Sequence, residues 1–201
     1  MGWSLQDNPS ISASQYDRWQ TLLEARTGVW FGEQTQILSS SILQRMVEAG
    51  YRDVDQYFEH IVEVGLSGKE WINLLDRIVI RETLFFRESA AFKCLTKYLD
   101  TLLKRDDVTP LDIWSVGCAS GEEAYSLAIT AKERIEQAGS TKKFGVTGTD
   151  ISREGLAQAR QADYRGRSLL HVDPTRLRQN FDPIDERGLF RVGESIRERV
   201  C

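Results

Sequence analysis

The 201 residues include 26 basic and 30 acidic side chains, and 41% are hydrophobic, a composition typical of a globular protein with one core or two small ones. A net charge of −4 argues against a general nucleic-acid binder, and two histidines and three widely spaced cysteines indicate neither a metal site, a Ser-His-Asp triad nor a disulfide framework. The sequence has no apolar run of membrane-spanning length and no signal-peptide pattern, which predicts a cytoplasmic protein without membrane insertion.

Residues 1–80 are predicted to form an N-terminal helical domain. Apolar residues recur at helical spacing in four stretches, which predicts the core of a small bundle. The first helix is expected to begin with a capping box of Ser12 and Gln15, and the fourth with one of Ser67 and Glu70. The first three stretches each end at a glycine: Gly28, Gly50 and Gly65.

The segment that follows contains two adjacent phenylalanines and an arginine. Phe85 and Phe86 are expected to be buried, whereas Arg87 needs an anionic partner or water. Arg87 is interpreted either as a group that recognises a substrate carboxylate or as a structural ion-pair partner of Glu82 or Glu122. This segment is therefore predicted to be fixed in place.

A strand, a glycine turn and a helix are predicted between residues 112 and 131. The apolar run 113–116 favours a strand, and Gly117 ends it. Ser120 is expected to cap the next helix, with Glu123 at capping-box spacing. Such a turn presents unpaired N–H groups, and glycine lets a ligand approach the main chain.

The acids near this turn indicate which ligand it suits. The turn lacks the G-x-G-x-x-G pattern of dinucleotide sites, so a nicotinamide-dependent enzyme is disfavoured, and Glu122 and Glu123 suit a cationic ligand. A second strand, 144–149, ends in Asp150, where an acid commonly holds ribose hydroxyls. A phosphate-free, cationic nucleoside such as S-adenosylmethionine (SAM) fits, although the two glutamates are equally explained as acids attracted to a helix dipole.

Four stretches in order resemble the CheR family of chemotaxis receptor glutamate methyltransferases, including its pilus-associated branch. The resemblance covers roughly residues 78 to 170. It rests on these stretches, in chain order: Arg81 to Arg87, Ile113 to Ala128, Gly148 to Ser152, and Ala159 to Tyr164. It implies an α/β fold in which the N-terminal helical bundle (1–80) precedes a partial class I SAM-dependent methyltransferase Rossmann-like domain (81–201). Residues 173–195 would form an inserted β-subdomain.

The resemblance also implies an activity and a site. The expected reaction transfers a methyl group from SAM to glutamate side chains of a bacterial chemoreceptor, giving methyl esters and S-adenosylhomocysteine, for chemosensory adaptation. Arg87 is the predicted catalytic residue, whereas the family's asparagine contact is replaced by Arg81 and cannot be carried over. The predicted cofactor-binding residues are Thr83, Arg87, Gly117, Ser120, Glu122, Glu123, Asp150 and Ile151.

The expected partner is the helical cytoplasmic domain of a methyl-accepting receptor, whose C-terminal tail peptide would add a strand to the β-subdomain. The protein is expected to be a monomer. Two basic groups are read either as receptor-facing or as solvated surface. The first comprises Arg45, Arg52, Lys69 and Arg77, and the second Arg160, Arg165, Arg167 and His171.

The sequence reaches Cys201 before the family's later motifs, an Asn-Leu pair and an R-N-x-x-x-Y strand. Residues 196–200 are expected to begin a return to the main sheet. We therefore expect the 201-residue chain to bind SAM weakly and to turn over slowly. The alternative function is a catalytically incomplete module that binds the receptor or SAM.

Overall fold

The computed structural model describes residues 10–32, 35–79, 82–105 and 109–201. The chain divides into two compact units, Met1–Ile80 and Arg81–Cys201. Helices make up the first unit, and the second combines helices with a parallel and an antiparallel sheet, which confirms the predicted α/β class. Among the described residues, no helix is both long enough and apolar enough to cross a bilayer.

The described part of the first unit contains four helices: α1 (Ala13–Thr27), α2 (Thr35–Glu48), α3 (Val54–Val64) and α4 (Lys69–Ile78). Helix α1 begins with the predicted capping box, in which Ser12 and Gln15 each satisfy the other's backbone N–H. The predicted box at α4 is wrong, because Gly68 is the N-cap and no side chain caps that helix.

The core of the helical unit is built from apolar side chains of all four helices. Trp19 lies at its centre, 5.5 Å from the Tyr57 ring and 5.0 Å from the Phe58 ring between centroids. Leu23, Ile42 and other aliphatic residues are fully buried around it. Burying each such side chain contributes about 1.5–3 kcal/mol, so this unit has a stabilising core of its own.

Glu70 is the hub of a polar network beside that core. Its carboxylate accepts two N–H groups of Arg45, at 2.8 and 2.7 Å, and the Tyr57 hydroxyl at 2.8 Å. Glu48 in turn pairs with both Arg45 and Arg77, at 3.2 and 2.6 Å. Two of the four basic residues considered for receptor docking are therefore engaged within the unit.

The second unit begins with α5 (Ser89–Leu103) and continues as β1 (Leu111–Val116), α6 (Glu122–Gln137), β2 (Phe144–Thr149) and α7 (Arg153–Gln161). Both predicted strands are confirmed. They pair in parallel with Val116 opposite Thr149, so their carboxyl ends lie side by side. At the end of the chain, Val200 bridges Val146 in parallel, which agrees with the expected return to the sheet.

The predicted cap of α6 is wrong by one residue. Gly121, at φ 94°, is the N-cap, and the Ser120 hydroxyl donates to the Glu122 side chain at 2.7 Å instead of capping the helix. A capping hydroxyl accepts from a backbone N–H, whereas this hydroxyl donates to a buried carboxylate, and such a charge-assisted hydrogen bond is the stronger of the two. Ser120 therefore belongs to the surroundings of Glu122.

A three-stranded antiparallel sheet completes the unit, in the order β3 (Asp163–Tyr164), β5 (Phe190–Val192), β4 (Phe181–Pro183). Within residues 173–195, β4 and β5 pair as an antiparallel hairpin. Strand β3 lies upstream of that range. The sequence analysis also missed two helices, α8 (Pro174–Asn180) and the short α9 (Glu194–Arg197).

Candidate functional site

The turn after β1 lies at the carboxyl end of the parallel sheet. The Thr149 carbonyl accepts the N–H groups of Gly117 and Cys118, at 2.8 and 3.0 Å. Gly117 has φ 74°, and a Cβ there would meet no protein atom within 4 Å. The space beside Gly117 is therefore open to a ligand.

Asp150 holds this turn from the neighbouring strand. One carboxylate oxygen accepts the Ala119 N–H at 2.8 Å, and the other accepts the Ser152 N–H at 2.7 Å. Ala119 is a non-glycine residue at positive φ, a conformation that needs such support. Each oxygen keeps a second lone pair. The ribose contact of Asp150 thus stays a prediction, as does the cofactor contact of Ile151, which is 42% exposed next to it.

Gly121 is required by close packing at the start of α6. Its φ is 94°, and a Cβ at this position would lie 2.8 Å from the Ala159 Cβ and 3.0 Å from the Tyr164 hydroxyl oxygen. That hydroxyl donates to the Ser120 carbonyl at 2.6 Å. Any larger residue at Gly121 would push α7 and Tyr164 away from the turn.

A cavity of about 430 Å³ opens beside this turn. Four predicted site residues line it: Thr83, Arg87, Ser120 and Glu122. Six further residues complete its lining: Glu82, Leu84, Glu154, Gln158, Arg167 and Ser168. Its size falls within the range of small-molecule sites. Gly117, Glu123, Asp150 and Ile151 are not part of this lining, and Arg81 lies outside the described residues.

The wall formed by residues 82–87 is fixed by its two phenylalanines. Phe85 is fully buried and Phe86 is 6% exposed, which confirms the predicted burial. The Phe85 N–H donates to the Ser168 carbonyl at 3.0 Å, and the Phe86 N–H donates to the Ser126 hydroxyl at 2.9 Å. The cavity therefore has rigid walls contributed by distant parts of the chain.

Glu122 is the most buried charged group of the cavity, at 2% exposure. Its two carboxylate oxygens accept the hydroxyls of Ser120 and Ser168, at 2.7 and 2.9 Å. Burial raises the pKa of Glu122, and the two serine hydrogen bonds oppose that rise only in part. Since no described cation pairs with it, the carboxylate suits a positively charged ligand group.

Glu123 has a different environment from Glu122. It is exposed, and its carboxylate accepts the Ser115 hydroxyl of β1 at 2.7 Å. Both acids lie in the first turn of α6, where the helix dipole favours negative charge. Of the two glutamates, only Glu122 faces the cavity, and the sequence offered no signal to separate them.

Two guanidinium groups line the cavity. Arg87 Nη1 donates to the backbone carbonyl of Glu82 at 2.9 Å, so neither of the ion pairs considered for Arg87 is formed. Arg167 Nη1 donates to the Glu82 carboxylate at 3.1 Å. The sequence analysis placed Arg167 only in a basic cluster and missed Ser168, because neither residue stands in a recognisable motif.

The side chains of this region match the chemical groups of SAM. Glu122 supplies an unneutralised carboxylate for an ammonium or sulfonium charge, and Arg87 or Arg167 supplies a guanidinium for the methionyl carboxylate. The open space at Gly117 leaves room for a nucleoside beside the main chain. The residues present therefore fit this cofactor.

Two family models match the chain. The CheR methyltransferase all-alpha domain matches residues 14–79, and the CheR methyltransferase SAM binding domain matches residues 81–201. The second match indicates S-adenosylmethionine as the methyl donor.

Several methyltransferases are similar to this chain along most of its length. A chemotaxis protein methyltransferase of Borreliella burgdorferi is 28% identical over 96% of this chain and 69% of its own length. Chemotaxis protein methyltransferase 1 of Pseudomonas aeruginosa is 30% identical, with 95% and 70% covered. A probable biofilm formation methyltransferase, WspC, of Pseudomonas putida is 32% identical over 82% of this chain and 37% of its own length. The chain therefore belongs to the CheR family of SAM-dependent methyltransferases that act in chemotaxis.

Proposed function

We propose that this chain transfers the methyl group of SAM to glutamate side chains of a bacterial chemoreceptor and so forms methyl esters during chemosensory adaptation. One observation carries the proposal: one cavity contains the buried carboxylate of Glu122, with which no described cation pairs, together with the guanidinium of Arg87. The first group suits the cationic part of the cofactor, and the second suits a carboxylate, either that of the methionyl group or that of the substrate. The names of the chemotaxis relatives support the same reaction.

The chemistry requires little of the protein beyond positioning. SAM supplies an electrophilic methyl group when bound. A glutamate side chain is ionised and nucleophilic at pH 7, so no protein group has to remove a proton from it. Holding the two reactants at near-attack distance contributes up to roughly 7–11 kcal/mol to lowering the barrier. The rigid walls around Arg87 suit this task.

The proposed roles follow the positions of the side chains. Arg87 orients a carboxylate. Its hydrogen bond to the Glu82 carbonyl uses one N–H group and leaves the others available. Glu122 holds the cationic part of the cofactor. Asp150 contacts the sugar while it supports the turn at Ala119. Thr83, Gly117, Ser120, Glu123 and Ile151 complete the proposed cofactor contacts.

The proposed partner is the helical cytoplasmic domain of a methyl-accepting receptor. Strands β3 and β4 are the outer strands of the described antiparallel sheet, so either edge suits strand addition by a receptor tail peptide. We also propose that the protein is a monomer and acts in the cytoplasm. The three unpaired cysteines support a reducing compartment.

Transfer of tritiated methyl groups from SAM to receptor-containing membranes tests this function. We expect incorporation that is released as methanol at alkaline pH, as methyl esters are. Arg87→Ala should lower kcat/KM about 100-fold, a loss of about 2.7 kcal/mol of transition-state stabilisation. Arg178→Ala is a matched control, since Arg178 donates to Thr175 and is not part of the cavity lining.

Two results would contradict the proposal. Absence of alkali-labile incorporation by the unmodified protein at high enzyme concentration would exclude the methyl-transfer function. Receptor binding without transfer would instead favour the alternative of a catalytically incomplete binding module. Equal activity of Arg87→Ala and Arg178→Ala would remove Arg87 from the proposed site.

A further inference from the structure

Arg167 gives the cavity a second guanidinium for which the proposed reaction so far has no role. Its Nη1 lies 3.1 Å from a carboxylate oxygen of Glu82, and Arg87 donates to the backbone carbonyl of the same residue. Glu82 therefore contacts both arginines through different atoms. Arg87 contacts the main chain of Glu82, whereas Arg167 contacts the Glu82 side chain, which is able to rotate away.

The backbone around Arg167 is fixed although its side chain is exposed. The next residue, Ser168, accepts the Phe85 N–H at its carbonyl and donates its hydroxyl to Glu122. Both contacts hold the 3₁₀ turn Gly166–Leu169 against the cavity wall. The backbone of Arg167 is therefore fixed at the cavity, whereas its side chain is 74% exposed.

The contact between Arg167 and Glu82 is easily exchanged. The two side chains are 74% and 66% exposed, and ion pairs at such exposure contribute little net stability. A guanidinium has five N–H donors and binds an incoming carboxylate best through two of them. A substrate carboxylate is therefore able to replace the Glu82 carboxylate on Arg167 at low cost.

The charges in the cavity favour such a role. Three glutamates line it, Glu82, Glu122 and Glu154, and they repel an approaching glutamate substrate. The reaction also brings two carboxylates to one site, that of the methionyl group and that of the substrate. Arg87 and Arg167 provide one guanidinium for each.

We infer that Arg167 is a positioning residue for the substrate glutamate, and that Glu82 holds its guanidinium until the substrate carboxylate replaces it. The inference rests on the proposed function and deepens it. It separates Arg167 from the other members of its basic group, Arg160, Arg165 and His171, which are outside the cavity lining.

Four variants test the exchange: Arg167→Ala, Glu82→Gln, the double variant and Arg167→Lys. Arg167→Ala should raise KM for the receptor about tenfold, the loss expected for one charge-assisted contact, with less than a twofold change in KM for SAM. Arg167→Lys should restore part of this loss, because lysine keeps the charge but not the two-donor geometry. Methyl transfer to receptor membranes is the readout.

Glu82→Gln gives the sharper result because it should improve binding. Without the competing carboxylate, KM for the receptor should fall about two- to threefold, in line with the small net value of an exposed pair. The same substitution should have no effect on KM in the Arg167→Ala background, because Glu82 affects receptor binding only by occupying Arg167.

Arg165→Ala is the matched control. Arg165 lies two residues away, is 56% exposed and pairs with Asp185 at 3.8 Å, outside the cavity lining. Equal KM values for Arg167→Ala and Arg165→Ala would overturn the inference while leaving the proposed function intact. An unmodified protein that transfers no methyl groups would contradict the proposed function itself, and the inference with it. Urea unfolding of each variant confirms that it is folded.

Discussion

Glu70 in the helical unit and Glu122 in the α/β unit are both largely buried carboxylates with different partners. Glu70 accepts hydrogen bonds from Arg45 and Tyr57. Burial alone raises the pKa of Glu70, but these hydrogen bonds outweigh burial and the pKa is lowered. Glu122 accepts hydrogen bonds from the hydroxyls of Ser120 and Ser168 and from a backbone N–H, but no described cation pairs with it, and burial raises its pKa.

The difference separates a stabilising carboxylate from one kept available for a ligand. A neighbouring guanidinium offsets the cost of burying the charge of Glu70, so the network around it strengthens the helical unit. Hydroxyl groups offset that cost only partly, so Glu122 is buried at the expense of stability. The positive charge of a bound ligand would offset the part of this cost that the serine hydroxyls leave.

The largest expected effect comes from removing the cation beside Glu70. Arg45→Met should lower the free energy of unfolding by about 3 kcal/mol, because it leaves a buried charge without its partner. The two side chains are only 19% and 14% exposed. Arg77→Met is the control, whose pair with Glu48 is more exposed and should contribute less than about 1 kcal/mol. Urea denaturation measures the free energy of unfolding of both variants. Equal losses would show that the Arg45–Glu70 pair stabilises the unit no more than the Arg77–Glu48 pair does.

Removing the charge of Glu122 should weaken cofactor binding instead. Glu122→Gln is expected to lower the affinity for SAM about tenfold, or about 1.4 kcal/mol. The amide oxygen still accepts one serine hydroxyl, and the NH₂ group donates to the oxygen of the other serine. Calorimetric titration of both proteins gives the comparison, and an unchanged affinity would show that this carboxylate does not meet the cofactor. The same titration tests the expectation of weak binding by the 201-residue chain, which micromolar affinity would contradict.

The two glutamates should also respond to pH in opposite directions. Glu122 has a raised pKa in the folded state, so its contribution to stability is greatest below its ordinary pKa of 4.5 and is lost as pH rises through the folded value. Glu70 has a lowered pKa, so its contribution is present above 4.5 and is lost as pH falls through the folded value. Unfolding curves of Glu122→Gln and Glu70→Gln at several pH values should change the pH slope in opposite senses. Parallel changes would contradict the assigned environments.

The smallest effect is expected from one of the serines that hold Glu122. Ser168→Ala removes one hydrogen bond to the carboxylate, and should lower SAM affinity only a few-fold, about 1 kcal/mol or less. The Ser168 carbonyl that accepts from Phe85 is retained, so the cavity wall should stay in place. A loss as large as that of Glu122→Gln would indicate that Ser168 itself contacts the ligand.

Sequence reasoning succeeded where the determining interactions are local. The Ser12 capping box, the strand before Gly117 and the burial of Phe85 depend on neighbouring residues and hydrophobicity. It failed at Ser120, where the hydroxyl has a choice between a backbone amide and a carboxylate. Only the fold decides whether this hydroxyl accepts from the amide N–H or donates to the carboxylate.

The site residues that sequence reasoning missed depend on long-range contacts. Ser168 reaches Glu122 across 46 positions of the chain, and Arg167 reaches Glu82 across 85. Strand β3 is only two residues long, too short to leave an alternating pattern. Such partners follow from tertiary packing and have no signature in the neighbouring sequence.

The hydrogen bond between the Phe85 N–H and the Ser168 carbonyl joins two halves of the cavity that lie 83 positions apart. Contacts of such separation form slowly, because the intervening chain must first lose its freedom. On a ribosome the pocket is unable to close before residue 168 has left the exit tunnel. Competence to bind a ligand should therefore be acquired late in synthesis, after the helical N-terminal unit has had time to fold.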